Sequence, residues 1–505
     1  MADVQEGVRM GTPAGRWVLL TTVLGSSMAM LDGTVVNVAL AHIGAELHAG
    51  FTGLQWTVNG YTLTLASLIL LGGSLGDQFG RRRVFLIGVV WFALASLACG
   101  LAPNIELLIA ARMLQGVGGA LLTPGSLALI SASFHGPDRA AAVGAWSGLG
   151  GIAGAIGPFL GGWLVEWTWR AVFLLNLPLA VMVIVVAVKH VPESKDPAAA
   201  PGLDVSGTVL AVLGLGALTW SLTEIGGGNG TAAGYALLAV GIAALVAFVL
   251  VERRSAHPLV PPTLFASRVF TAANVVTLLV YAALGAVFLL LVLQLQIVAG
   301  FPPALAGAGL LPITLVMLLF SSRAGALAQR IGPRIPLTAG PLISACGMLL
   351  MRRIGPDASW LLDVLPAVLV FAAGLSLTVA PLTATVLDAA PDRFAGAASG
   401  VNNAVARAAG LLAVAVIPGI AGIGNADYTD PATFGAGFRT ATVIGAGLLA
   451  LAAIVSAVAV RTSLGGAPSP GDTAPDGTAP DTPSRVPLER CSHCGITAPQ
   501  THPRD

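Results

Sequence analysis

Charge is what this chain has least of: only 10% of its 505 residues are Asp, Glu, Lys or Arg, against about a quarter in a soluble protein. With 55% hydrophobic residues and a mean hydropathy of +0.85, the bulk of the chain belongs in lipid. The same shortage leaves no room for a large soluble domain. An excess of one sign is also missing. The 25 basic and 24 acidic residues cancel to +1, so no basic field exists to hold a phosphate backbone, and nucleic acid is excluded as a partner. The sequence contains no P-loop of the form G-x-x-x-x-G-K-S/T, no H-E-x-x-H and no G-x-S-x-G. Direct ATP use and catalysis are therefore unsupported, and no cofactor is expected.

Cysteine is scarce too. Four are too few for a disulfide framework, and Cys99 and Cys346 lie in apolar runs where a thiol behaves as a small hydrophobe. Cys491-Ser492-His493-Cys494, with His502 beyond, has the donors for zinc but no second ligand pair on a defined turn, so no metal site is expected. The stretch from Gly465 to Pro487 is rich in Pro, Gly, Thr, Ser and Asp, which predicts a disordered tail over 462–505.

What is abundant is long apolar runs. A bilayer core of about 30 Å takes roughly 20 apolar residues per helix. Runs near 17–41, 54–75, 84–101, 106–131, 140–165 and 171–191 predict a six-helix block. Two further runs, 205–224 and 233–251, precede a basic connector from Glu252 to Arg268. A second block follows with runs near 269–298, 304–322, 335–351, 361–387, 396–418 and 439–460. The expected architecture is all-α and integral to the membrane, with fourteen transmembrane helices. Its divisions are an N-terminal segment 1–16, a bundle 17–191, an inserted hairpin with connector 192–268, a bundle 269–461 and the tail. The first run contains Asp32 and has no clear small-residue cleavage site, so it reads as a retained helix rather than a signal peptide. With the N-terminus inside, the inner loops collect Arg81, Arg82, Arg83, Arg139, Lys189, Lys195, Arg253, Arg254, Arg268, Arg323, Arg330, Arg334 and Arg393. The outer loops keep mainly Arg170, Arg352, Arg353 and Arg439. Both termini are expected in the cytoplasm.

The blocks are copies. Gly73-Ser-Leu-Gly-Asp77-Gln-Phe-Gly80 aligns without gaps on Gly325-Ala-Leu-Ala-Gln329-Arg-Ile-Gly332, an offset of 252 (325 minus 73). Pro137-Asp138-Arg139 recurs as Pro391-Asp392-Arg393 at 254 (391 minus 137). Two parallel halves with substrate between them is one of the repeat arrangements of membrane transporters, and the pair 205–224 and 233–251 is then an insertion at the junction.

Four segments in order resemble the fourteen-helix drug/proton antiporter branch of the major facilitator superfamily. They are Leu31-Asp32-Gly33-Thr34-Val35-Val36-Asn37-Val38-Ala39-Leu40, Gly73 to Arg83, Arg112-Met-Leu-Gln115-Gly116, and Gly157-Pro158-Phe-Leu-Gly161-Gly162. The resemblance covers Trp17 to Arg461. Ala41 departs from a proline common in the family, and Gln329 replaces the acid of the second loop copy. It implies the major facilitator fold. Gly154, Gly157, Pro158, Gly161 and Gly162 look like the antiporter signature, which favours exchange and export. Relatives that export dications often carry a further acid in a late helix, where this chain has Asn402, Asn403 and Arg407. One central acid suggests neutral or monovalent substrates.

The residues also argue for themselves. Asp32 lies about 15 residues past Trp17, roughly 22 Å into the slab, where an ionised carboxylate is costly and marks an ion or substrate path. Arg112 lies within about 5 Å of the same depth, so the two are expected to pair and to form the proton-coupling site; a purely structural bond is the plainer reading. Gln115 shares the Arg112 face. Gln55, Asn59 and Thr62 form a polar stripe on helix 2 at i, i+4 and i+7. With Asn37, Gln115, Gln294, Asn402, Asn403 and Arg407 they are the expected substrate cavity, although interhelical hydrogen bonding also explains such amides. Arg407 lacks an identifiable counter-charge. Gly73, Asp77, Gly80, Arg81 and Arg82 make an expected gating loop, for which a positive-inside anchor is the bland alternative. Gly150, Gly154, Pro158 and Gly162 recur every fourth residue as an expected packing face.

The expected function is proton-coupled export of drug-like or antibiotic small molecules by alternating access, by a monomer in the plasma membrane of a high-GC bacterium. Export of an endogenous metabolite, lipid or siderophore fits the same motifs. A non-transporting sensor or assembly partner would bring an appended folded domain, which the sequence after Arg461 does not suggest.

Overall fold

The computed structural model describes residues 8–195, 204–228, 230–255, 260–391, 394–425 and 428–460. Asp392 and Arg393 of the second repeat pair, and the tail with Cys491, His493, Cys494 and His502, lie outside the described residues.

Among the described residues, fourteen helices are long and apolar enough to cross a membrane. The first six are α1 (Pro13–Glu46), α2 (Phe51–Phe79), α3 (Arg81–Gly100), α4 (Ile105–Ser133), α5 (Gly136–Val165) and α6 (Arg170–His190). Next come α7 (Val205–Gly226) and α8 (Ala232–Arg254). The last six are α9 (Arg268–Val298), α10 (Pro303–Ile331), α11 (Arg334–Met351), α12 (Trp360–Asp388), α13 (Ala395–Ile420) and α14 (Pro431–Ala459). Apolar runs located every span but not its full length. Helix α10 continues through Arg323 and Arg330 to Ile331, and α14 begins eight residues before Arg439 (439 minus 431), at Pro431 behind an Asp430 cap. The α10 extension is a polar helix end, whereas that of α14 is a short stretch of Pro, Ala, Thr, Gly and two Phe whose start is set by the Asp430 cap and the proline after it rather than by a long apolar run.

The duplication shows in backbone geometry. Helix α2 stops at Gly80 with φ 114° and α10 stops at Gly332 with φ 83°, again 252 residues apart (332 minus 80). A positive φ at the same turn of each half requires glycine there.

Four hydrogen bonds tie the two bundles together at one end. Gln55 Nε2 donates to Val414 O at 2.6 Å, Gln296 Nε2 to Val38 O at 2.9 Å, Thr52 N to Asn425 Oδ1 at 2.6 Å and Tyr428 OH to Ala49 O at 2.8 Å. Helix α5 is the wedge of this seam. A Cβ on Gly157 or Gly161 would meet Thr34 Oγ1 at 2.1 Å or Val35 Cγ1 at 2.8 Å on α1; one on Gly162 would meet Pro303 O at 2.4 Å on α10. The expected four-residue register is thus only half correct. Gly154 faces open space, because α5 turns two adjacent stripes, 157/161 and 158/162, toward different helices.

The inserted α7 packs against α2 of one half and α13 of the other. With α8 and the connector it borders an apolar groove of about 720 Å³ lined by Leu70, Leu215, Phe248, Val401 and Val405 among others.

Candidate functional site

Asp32 and Arg112 meet in the interior of the N-terminal bundle, each 1% exposed. Arg112 Nη1 donates to Asp32 Oδ2 at 2.5 Å. Asp32 Oδ1 accepts from Gln115 Nε2 at 2.8 Å and from Asn176 Nδ2 at 3.3 Å. Ser96 Oγ accepts from both of those amides, at 2.6 and 3.0 Å. Arg112 closes the set with Nε on Thr57 O at 3.0 Å and Nη1 on Gln115 Oε1 at 2.6 Å. Side chains or carbonyls from α1, α2, α3, α4 and α6 therefore solvate one ion pair, which is what a buried pair needs to offset its desolvation. The sequence stripe that paired Arg112 with Gln115 was legible; Asn176, Ser96 and Thr57 were not, being ordinary polar residues on other helices.

The central cavity lies between the halves, about 380 Å³ in volume. Five of the expected cavity residues line it: Asn37, Asn59, Thr62, Asn403 and Arg407, together with Tyr281, Phe288 and aliphatic neighbours. Four others are placed elsewhere. Gln115 belongs to the ion pair, Gln55 to the seam, Gln294 donates to Ile354 O at 2.8 Å, and Asn402 Nδ2 donates to Thr277 Oγ1 at 2.7 Å and Asn274 Oδ1 at 3.2 Å. Their amides hold helices together. Tyr61 packs on the pair: its ring centroid lies 4.4 Å from the Arg112 guanidinium carbon, and its hydroxyl donates to Ala29 O at 3.3 Å. No aromatic signal in the sequence singled it out.

At the far end of α2, Asp77 pairs with Arg81 at 2.8 Å. Glu193, which follows α6, accepts from the backbone N of Arg82 and Arg83 at 3.0 and 3.1 Å and so caps α3. Arg82 reaches Glu193 at 3.8 Å and donates to Val191 O at 2.9 Å. A Cβ on Gly73 would meet Pro124 Cβ at 3.7 Å, an ordinary van der Waals distance. The expected loop is thus a single residue, Gly80: Gly73 and Asp77 lie in the last turns of α2, Arg81 and Arg82 open α3, their ion pairs stay within the N-terminal half in this conformation, and Glu193 is a partner that sequence spacing did not suggest.

Comparison with known proteins agrees with this geometry. The chain is 35% identical over 472 residues to a puromycin resistance protein of Streptomyces alboniger, covering 90% of this chain and 94% of that one. It is 37% identical to a cephamycin export protein of Amycolatopsis lactamdurans (86% and 89% covered) and 37% identical to a multidrug resistance protein of Mycobacterium tuberculosis (76% and 72% covered). Among solved structures, an inward-facing bacterial homologue of the human lysosomal transporter Spinster superposes with a TM-score of 0.64 at 16% identity, over 90% of this chain and 98% of that one. A POT family transporter in complex with 5-aminolevulinic acid gives 0.65 at 14% identity, over 88% and 96%; both show the shared fold alone. The family model of the Major Facilitator Superfamily matches residues 22–415. Fourteen spans, paired bundles and a cavity between them thus belong to a multi-pass bacterial membrane transporter and not an enzyme, and this chain is a member of the major facilitator superfamily.

Proposed function

We propose that this transporter exports drug-like or antibiotic small molecules in exchange for protons. The observation that carries the reading is the enclosed Asp32–Arg112 pair, held by α1 and α2, the same two helices that present Asn37, Asn59 and Thr62 to the central cavity. Protonation of Asp32 removes the charge that Arg112 compensates, and the solvating set of Gln115 and Asn176 must then rearrange. The same turn of α1 carries Thr34 and Val35, which rest on Gly157 and Gly161 of α5, whose next face holds the opposite half. Contiguous packing thus runs from Asp32 to the seam between the halves, a route by which a proton at Asp32 would bias one arrangement of the halves over the other. Relatives named for puromycin resistance, cephamycin export and multidrug resistance support the substrate range.

Everted vesicles carrying the chain and energised to an acid lumen are expected to lose part of their pH gradient when an exported compound is added. A first panel is puromycin and a cephamycin, the compounds for which two of these relatives are named. No response to the whole panel would sink proton-coupled exchange.

In this reading both termini are cytoplasmic, because the basic loops gather on that side. The seam at Gln55 and Gln296 then closes the outer end and the conformation is inward-facing. A cysteine at Gly228 should react with an impermeant maleimide in intact cells, and one at Ala389 only after lysis; labelling of Ala389 from outside reverses the orientation.

A further inference from the structure

The polar side chains that face the central cavity are Asn37, Asn59, Thr62, Tyr281, Asn403 and Arg407, and no Asp or Glu is among the lining residues. Asp32, the acid deep in α1, is already committed to Arg112. Among the described residues no acidic side chain pairs with Arg407, and its Nε is buried without a hydrogen-bond partner. Asn59, 1% exposed, has both amide atoms in the same condition. A guanidinium at this depth in a membrane protein is costly unless an anion or a wet cavity receives it. The cavity therefore presents one uncompensated positive charge and an idle amide, set in a lining that includes Val58, Leu284, Phe288, Leu411 and Val414.

We propose that this cavity selects anionic substrates, an apolar body bearing one carboxylate or similarly acidic group, with Arg407 as counter-ion and the Asn59 amide as second donor. The proposal rests on the reading of the chain as a small-molecule exporter. A carboxylate matches the planar fork of a guanidinium with two parallel hydrogen bonds. A cationic substrate would meet Arg407 with no acid in the lining to offset it. The volume of about 380 Å³ suits a small drug-sized molecule.

Equilibrium binding to the purified full chain in detergent tests this with three probes that share one apolar body and carry a negative, a neutral or a positive head: anthracene-2-carboxylate, its carboxamide, and 2-(aminomethyl)anthracene. The carboxylate is expected to bind at least about tenfold more tightly than the carboxamide, and the ammonium most weakly. Arg407→Gln should erase the preference and Arg407→Lys should keep part of it. Equal affinity for the three, preference for the ammonium, no measurable binding of the carboxylate, or a preference that survives Arg407→Gln overturns the proposal. The wild-type ranking is decisive even if a variant fails to fold. Because the readout is binding, it is separate from proton coupling: a carboxylate-selective site with no gradient response would sink the exchange reading and leave this one standing.

Discussion

Asp32→Asn is expected to abolish gradient-driven transport while the protein still folds and binds substrate. The amide keeps the volume of the carboxylate and one acceptor for Gln115 or Asn176, but it cannot take up or release a proton. Asp32 does not line the central cavity, so substrate affinity should change little. With no group at this position able to carry a proton, gradient-driven transport should fall to the background of protein-free liposomes. Asp32→Glu should retain a fraction of the rate, because the extra methylene displaces the carboxylate in a site with no room for it. Proteoliposomes under an imposed pH gradient, with binding measured in parallel, give both readings. Near-normal gradient-driven transport by Asp32→Asn would move the coupling role elsewhere. Glu252 would be examined next, since it is 3% exposed at the end of α8. Other acids lie at helix ends with local duties: Glu46 holds Arg170, and Asp363 accepts from Ser359 N at 2.8 Å.

Much of this architecture could be read before any coordinates, and the reasons are physical. Lipid permits no unsatisfied backbone, so each apolar run of sufficient length had to be a helix, and the repeat at an offset of 252 set the halves. Isolated intramembrane charge identified Asp32 and Arg112, because little else tolerates such a position. The amides were ambiguous for an equally physical reason. Asparagine and glutamine serve a cavity or a neighbouring helix with the same donors, and only the packing of α13 on α9 assigns Asn402 to Asn274 and Thr277 while Asn403, the next residue, faces the cavity. Asn176 and Ser96 were invisible because their role arises from three-dimensional proximity to Asp32, on helices that carry no charge of their own at that depth. Glu193 was missed because a helix cap supplied from 110 residues away leaves no local spacing.

Removing the other half of the pair should cost more in stability than removing the acid. Arg112→Met fills the space with an apolar side chain but strands Asp32, whose carboxylate keeps only the Gln115 and Asn176 amides. Breaking a buried pair from one side typically costs about 3–5 kcal/mol, because the remaining charge is left uncompensated. Thr57 O and Gln115 Oε1 lose the Arg112 donor as well, which leaves Gln115 Oε1 with the Cys99 thiol at 3.7 Å. If the penalty comes from the stranded carboxylate, Asp32→Asn added to Arg112→Met should recover part of the loss, with a coupling of about 1–3 kcal/mol in a double-mutant cycle. Arg112→Lys should fall between: its ammonium restores the charge, yet a single nitrogen lacks the fork that serves Asp32 and Thr57 O together. Equilibrium unfolding of the purified variants in mixed detergent reads all four corners of the cycle. Strict additivity, or an Arg112→Met cost below about 1 kcal/mol, would mean that the pair is not the stabilising centre of the N-terminal bundle. The double mutant should not regain coupled transport, because its stability returns without a group that can load a proton at α1.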